Sequence, residues 1–102
     1  MEIKVIWTDS ARGQLEDIFF YYKENSSLRA ARNLVQKIID RTIQLESNPE
    51  SGQVEPLLKG RKLKYRYIVE GNYKIIYWID SYFVSIASIF DCRQNPGKMS
   101  SI

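Results

Sequence analysis

The sequence predicts an α+β domain in which a helix hairpin packs on one face of an antiparallel-rich four-stranded sheet, in the order β-α-α-β-β-β. Three observations carry this. Residues 2–7 alternate apolar and polar side chains, the period of a half-buried strand. Two long segments then repeat apolar residues at helical spacing, separated only by Asn25-Ser26-Ser27. The last part of the chain holds three runs rich in β-branched and aromatic residues, divided by Gly71-Asn72 and Asp80-Ser81.

In the first strand Ile3, Val5 and Trp7 share a side. Thr8 and Asp9 offer an N-cap for a helix over about 9–24, with Ala11, Leu15, Ile18, Phe19 and Tyr22 as its inner stripe. Ser26 or Ser27 can cap the second helix, whose stripe is Ala31, Leu34, Val35, Ile38, Thr42 and Leu45. It runs to about 47, where Asn48-Pro49 stops it. The short break makes the pair antiparallel. Residues 48–60, with Pro49, Gly52, Pro56 and Gly60, read as a loop.

Strands are expected at about 63–69, 73–80 and 82–90. Reading Glu70-Gly71-Asn72 as a three-residue hairpin loop, with Asn72 in the left-handed region, pairs Val69 with Tyr73. Leu63, Tyr65, Tyr67, Val69, Tyr73, Ile75, Tyr77 and Ile79 then face the helices. Lys64, Arg66, Ile68, Lys74, Ile76, Trp78 and Asp80 face the other way. A two-residue Gly-Asn loop would bring Lys64 and Arg66 under the helices, and burying those charges unpaired is costly. A tight Asp80-Ser81 turn sends Tyr82, Val84, Ile86 and Phe90 to the core. Phe83, Ser85, Ala87 and Ile89 then point to an open face, which Asp91 and Arg93 also reach if the strand runs on.

The 102 residues make one domain, residues 1–102, long enough for a single core. No apolar stretch approaches the roughly 18 residues that span a bilayer, and Met1 to Trp7 is too short and too alternating for a signal peptide. One cysteine, Cys92, excludes an internal disulfide and fits a reducing cytosol, so a cytoplasmic location is expected. With no histidine, a zinc site is not expected and a Ser-His-Asp triad is impossible. No side chain has an ordinary pKa near neutrality. No metal or cofactor is expected.

The net charge of +3 is modest, but Lys59, Arg61, Lys62, Lys64 and Arg66 supply five of the fifteen Lys and Arg within eight residues. Such a cluster either meets an anionic partner or blunts an exposed strand edge. Phe20 and Tyr21 point away from the inner stripe of the first helix, either to pack on the second helix or to anchor a partner segment.

The order strand, helix hairpin, basic loop, three-stranded meander resembles the RelE/ParE superfamily of type II toxins, which includes plasmid stabilisation proteins. The resemblance lies in Tyr65-Arg-Tyr-Ile-Val-Glu-Gly-Asn-Tyr-Lys-Ile-Ile-Tyr77 and in Ile89-Phe-Asp-Cys-Arg-Gln-Asn-Pro96, with Trp7 to Asp17 fitting the family's opening. It implies a small cytosolic toxin encoded with an antitoxin. ParE-like members inhibit DNA gyrase; RelE-like members are metal-independent endoribonucleases that cut mRNA on the ribosome. This chain has Lys74 where the family has Arg, lacks the His some members carry, and keeps Arg93. A lysine lacks the planar fork that grips phosphate, and Asp91 would repel it. Both departures favour the ParE-like reading, a gyrase inhibitor. Its target-binding residues would be Arg61, Lys62, Lys64, Arg66, Lys74, Trp78 and Arg93, with Phe20 and Tyr21 for the antitoxin. The alternatives are a RelE-like nuclease using Lys64, Arg66, Lys74 and Arg93, with the ribosome and mRNA as target, or a stand-alone nucleic-acid-binding domain. The resemblance allows a homodimer or a toxin-antitoxin hetero-oligomer and implies no membrane contact.

Overall fold

A computed structural model describes residues 3–102. Thr8 begins the helical layer in the way its position predicts: its hydroxyl accepts from Ala11 N at 3.1 Å. The same hydroxyl donates to the Ile86 carbonyl at 2.8 Å, so one side chain caps a helix and ties it to the sheet. Helix α1 covers Asp9–Asn25. Ser27 caps α2, Leu28–Gln44, by accepting from Ala30 N at 3.0 Å. The second helix stops a turn short of the expected 47, and hydrogen-bonded turns carry the chain to Asn48.

Among the described residues the sheet has five strands rather than four, in the order β1-β5-β4-β3-β2. They are β1 Lys4–Trp7, β2 Gln53–Val54, β3 Arg66–Glu70, β4 Tyr73–Ile79 and β5 Phe83–Asp91. The added strand is the two-residue β2, inside the segment read as loop, antiparallel to β3. β1 lies parallel to β5, which the long connection between them, through two helices and three strands, permits. Short 3-10 turns occupy Pro49–Ser51, Pro56–Leu58 and Pro96–Ser101.

The register of the first hairpin differs from the expected one. Glu70 pairs with Tyr73, so the loop is the two-residue Gly71-Asn72, with Gly71 at φ 58° and, among the described residues, none but glycines at positive φ. Arg66, Ile68 and Glu70 therefore share the helix-facing side with Tyr73, Ile75 and Tyr77. Tyr65, Tyr67 and Val69 lie on the opposite side. The expected charge penalty is avoided at both ends. The Arg66 guanidinium leaves the layer and donates to the Gly52 carbonyl at 2.9 Å. Glu70 pairs with Arg41 of α2 at 3.8 Å. Lys64 precedes the strand and is exposed.

The second hairpin differs too. Ile79 pairs with Val84, and Tyr82 sits in the turn, 54% exposed, instead of in the core. Further along, Tyr77 pairs with Ile86 but Ile76 with Ser88, so Ala87 is an extra residue. This bulge exchanges the faces of the residues beyond it: Ile89 joins the helix-side core and Phe90 the other side, the reverse of expectation. Gln14 of α1 reaches the bulge, where its side-chain oxygen accepts from Ile89 N at 2.8 Å and Ser88 Oγ at 3.0 Å.

Two cores result. The helix-side core joins Ala11, Ile18, Ile38 and Leu45 to Ile68, Tyr73, Ile75, Tyr77, Val84, Ile86 and Ile89. The face expected to be open carries a second core: Leu58, Ile76, Ala87, Phe90 and Met99, with Tyr65, Tyr67, Trp78 and Ile102 against it. The turns at Pro56–Leu58 and Pro96–Ser101 supply its lid. Leu63 and Val69, assigned to the helix side, are exposed at 40% and 47%.

Candidate functional site

The basic side chains do not gather on one surface. Lys74 lies on the second face, where its ammonium is 2.7 Å from Glu55 Oε1 and 4.2 Å from the centre of the Tyr67 ring. The Glu55 side chain is fully buried, and among the described residues its Oε2 has no hydrogen-bond partner. Glu55 is the residue that pattern reading passed over. A lone carboxylate between Val54 and Pro56-Leu57-Leu58 was the signal that could have marked it.

Arg66 is on the opposite side of the sheet from Lys74, bonded to Gly52. Arg93, just past β5, is exposed and forks onto Asp91: Nε donates to Oδ1 at 2.9 Å and Nη2 to Oδ2 at 2.8 Å. Asp91 pairs across the ladder with Tyr73 on the helix side, so neither it nor Arg93 is beside Lys74. The fork holds the Asp91 carboxyl below its ordinary range, partial burial opposing it. It also raises the Arg93 guanidinium, with help from Tyr22. Burial, then the Tyr22 hydroxyl, pushes Tyr73 up; burial pushes Tyr77 up. These shifts move the groups away from neutrality, where a general acid or base works best.

The other cations of the basic cluster form one group. Lys59, Arg61, Lys62 and Lys64 are all exposed on the loop between Leu58 and β3, which turns at Gly60 with φ 85°. Arg61 donates to the carbonyls of Ser100 and Ile102, fastening the loop to the last turn. Among the described residues no carboxylate lies within ion-pair distance of Lys59, Lys62 or Lys64. Trp78 is half-buried, edge-on to Tyr65 at 6.0 Å, and so belongs to the second core. Tyr65 and Tyr67 pack there as well, while only Tyr73 and Tyr77 of the five tyrosines assigned to the helix side lie in that core.

Phe20 and Tyr21 are exposed at 51% and 58% on the outer side of α1. A groove of about 320 Å³ beside Phe20 is lined by Leu15, Phe19 and Val35, with Arg12 and Glu16 at its margin. A more polar cleft of about 840 Å³ runs between α1 and the end of β5, past Asp17, Tyr21, Asp91 and Arg93. Among the described residues no cluster of three or more metal-binding side chains occurs. No helix there is long and apolar enough to cross a membrane. Cys92 is an exposed thiol.

Residues 5–96 match the model of the family described as "ParE toxin of type II toxin-antitoxin system, parDE". The chain belongs to the ParE toxin family. Two of the solved structures that share its fold show the likeness. One, a chromosomal ParDE toxin-antitoxin system from P. aeruginosa, superposes with a TM-score of 0.72 at 17% identity, covering 88% of this chain and 96% of that one. The other, a YoeB dimer from Staphylococcus aureus, does so at 0.54 and 20% identity, covering 87% and 95%. A comparison with curated proteins found no match.

Proposed function

We propose that this ParE-family toxin arrests growth by binding an essential target of the DNA gyrase class, and that a cognate antitoxin neutralises it in the cytoplasm. The observation that carries the reading is the dispersal of the cations. Phosphoryl cleavage needs several donors converging on one phosphate. Here Lys74 is neutralised by Glu55, Arg66 lies across the sheet, and Arg93 is held by Asp91. What stays available is the loop through Lys62 and Lys64, fastened by Arg61, a surface suited to holding a partner rather than to bond cleavage. The antitoxin would cover Phe20, Tyr21 and the adjoining groove.

Tightly controlled expression tests this. Filamentous growth with intact mRNA, and inhibition of gyrase supercoiling by the purified protein, are expected. Arrested translation with mRNA cut at ribosome-defined positions would overturn the reading in favour of a nuclease.

A further inference from the structure

Residues 57–64, Leu-Leu-Lys-Gly-Arg-Lys-Leu-Lys, combine two features that a merely solvated loop does not need. Among the described residues its three lysines have no acidic partner, and two leucines beside them, Leu57 and Leu63, are 55% and 40% exposed. No acidic residue occurs between Glu55 and Glu70, and Glu55 is already committed to Lys74. The positive field of the loop is therefore unopposed along this stretch. The loop is also held in one shape. Leu58 is buried in the second core, and Arg61 is tied to the Ser100 and Ile102 carbonyls. Such preorganisation lowers the ordering cost of binding.

We propose that this loop docks a protein segment in which acidic and aliphatic side chains are interleaved. The inference rests on reading the loop as the target-contact surface, and it names the chemistry of what is contacted. Nucleic acid fits less well for three reasons. Exposed leucines gain nothing against a phosphate backbone. The one guanidinium of the loop, the group best suited to fork onto phosphate, is spent on backbone carbonyls. The aromatics that could stack on bases, Tyr65, Tyr67 and Trp78, pack into the second core. An acidic peptide satisfies both halves of the loop: carboxylates meet Lys59, Lys62 and Lys64, and aliphatic side chains cover Leu57 and Leu63.

Fluorescence anisotropy on the purified full chain tests it with three probes: a short labelled peptide alternating Glu with Leu, its Glu–Ser counterpart of equal charge, and a DNA oligonucleotide of equal charge. The Glu–Leu peptide should bind at least about tenfold more tightly than the Glu–Ser one, a gap that one or two aliphatic contacts supply. L57S/L63S should erase that preference, and K62E/K64E should remove binding of both peptides, with circular dichroism and thermal midpoint unchanged. Equal binding of the two peptides, or tighter binding of the oligonucleotide, overturns the proposal. Growth assays of the same variants separate it from the function it rests on. Peptide binding with undiminished toxicity in K62E/K64E upholds the docking chemistry and removes the loop from the target contact. Lost toxicity with no peptide binding by the parent protein keeps the target contact and overturns the chemistry.

Discussion

The ammonium of Lys74 and the carboxylate of Glu55 meet at 2.7 Å beneath the lid of the second core, and only the lysine reaches solvent, with 22% of its side chain exposed. The two halves of this pair are therefore unequal. Removing the lysine strands a carboxylate that cannot reach water; removing the carboxylate leaves an ammonium that can, and that still lies over the Tyr67 ring. Lys74→Met should cost about 3–5 kcal/mol in urea unfolding, Glu55→Leu distinctly less, and the double variant should recover most of the loss. A double variant less stable than Lys74→Met would show that the pair is not the reason for the loss.

Asp91 gives the acid limb of stability. Its carboxyl lies below its ordinary value of 3.8 because Arg93 donates to it from its side chain, and then from its backbone, against the opposing effect of burial. The folded chain thus binds this proton more weakly than the unfolded chain. The stabilisation is complete above the unfolded value, about 3.9, and is lost as pH falls through the lower folded value. Asp91→Asn keeps an oxygen for the Arg93 N–H but not the charge. Its unfolding free energy should fall less steeply with acid below about pH 4. An acid limb as steep as the parent's would assign the slope to other carboxylates.

At the alkaline end the sign reverses. Burial and the Tyr22 hydroxyl raise Tyr73 above its ordinary 10.0, and burial raises Tyr77. The folded state then holds these protons more tightly, so their contribution is present below pH 10 and is lost as pH rises through the folded values. Tyr73→Phe should flatten the fall in thermal midpoint above pH 10 relative to its own value at neutrality. A curve parallel to the parent's would exclude Tyr73 as its source.

Tyr73, Tyr77 and Lys74 lie on the faces the sequence predicts, whereas Asp91 and Arg66 lie on the opposite ones, for physical reasons. Helix positions and caps were legible because Thr8 and Ser27 act locally and the apolar stripes are long. The sheet registers were not. The penalty for placing Arg66 under the helices holds only if its side chain ends there, and a turn distant in sequence offers it the Gly52 carbonyl instead. The extra residue at Ala87 carries no mark of its own and is matched by Gln14 from α1. The second core had a signal: Ile75-Ile76-Tyr77-Trp78-Ile79 is apolar without alternation, the pattern of a strand covered on both faces. The expected anion-receiving surface required a single open face, so its premise fails with that face. Of the cations expected on that surface, Arg61, Lys62 and Lys64 stay together and exposed on one loop.

Phe20 and Tyr21 should matter for association and not for folding, since both rings are more than half exposed. Replacing both with Ala should change stability by no more than about 0.5 kcal/mol. Affinity for the cognate antitoxin, measured by calorimetry, should fall at least about tenfold, as loss of aromatic anchors does. Unchanged affinity would place the antitoxin elsewhere.

Arg66 was expected on the target surface, and the geometry argues for a structural role. Arg66 and Tyr77 are cross-strand partners, and together they hold one turn. Tyr77 Oη donates to the Pro49 carbonyl at 2.7 Å and accepts from Gly52 N at 2.9 Å, while Arg66 donates to the Gly52 carbonyl at 2.9 Å. Gly52 is required there, since a Cβ would come within 2.7 Å of the Tyr67 carbonyl oxygen. Tyr77→Phe orphans a buried N–H and a carbonyl and should cost about 1–3 kcal/mol; Arg66→Ala, half-exposed, should cost about 1 kcal/mol. Because both act on the same turn, the double variant should lose less than the sum. Arg66→Ala should reduce toxicity no more than its stability loss explains, and a stabilising background should restore it. Full stability with abolished toxicity in Arg66→Ala would instead return this guanidinium to the target.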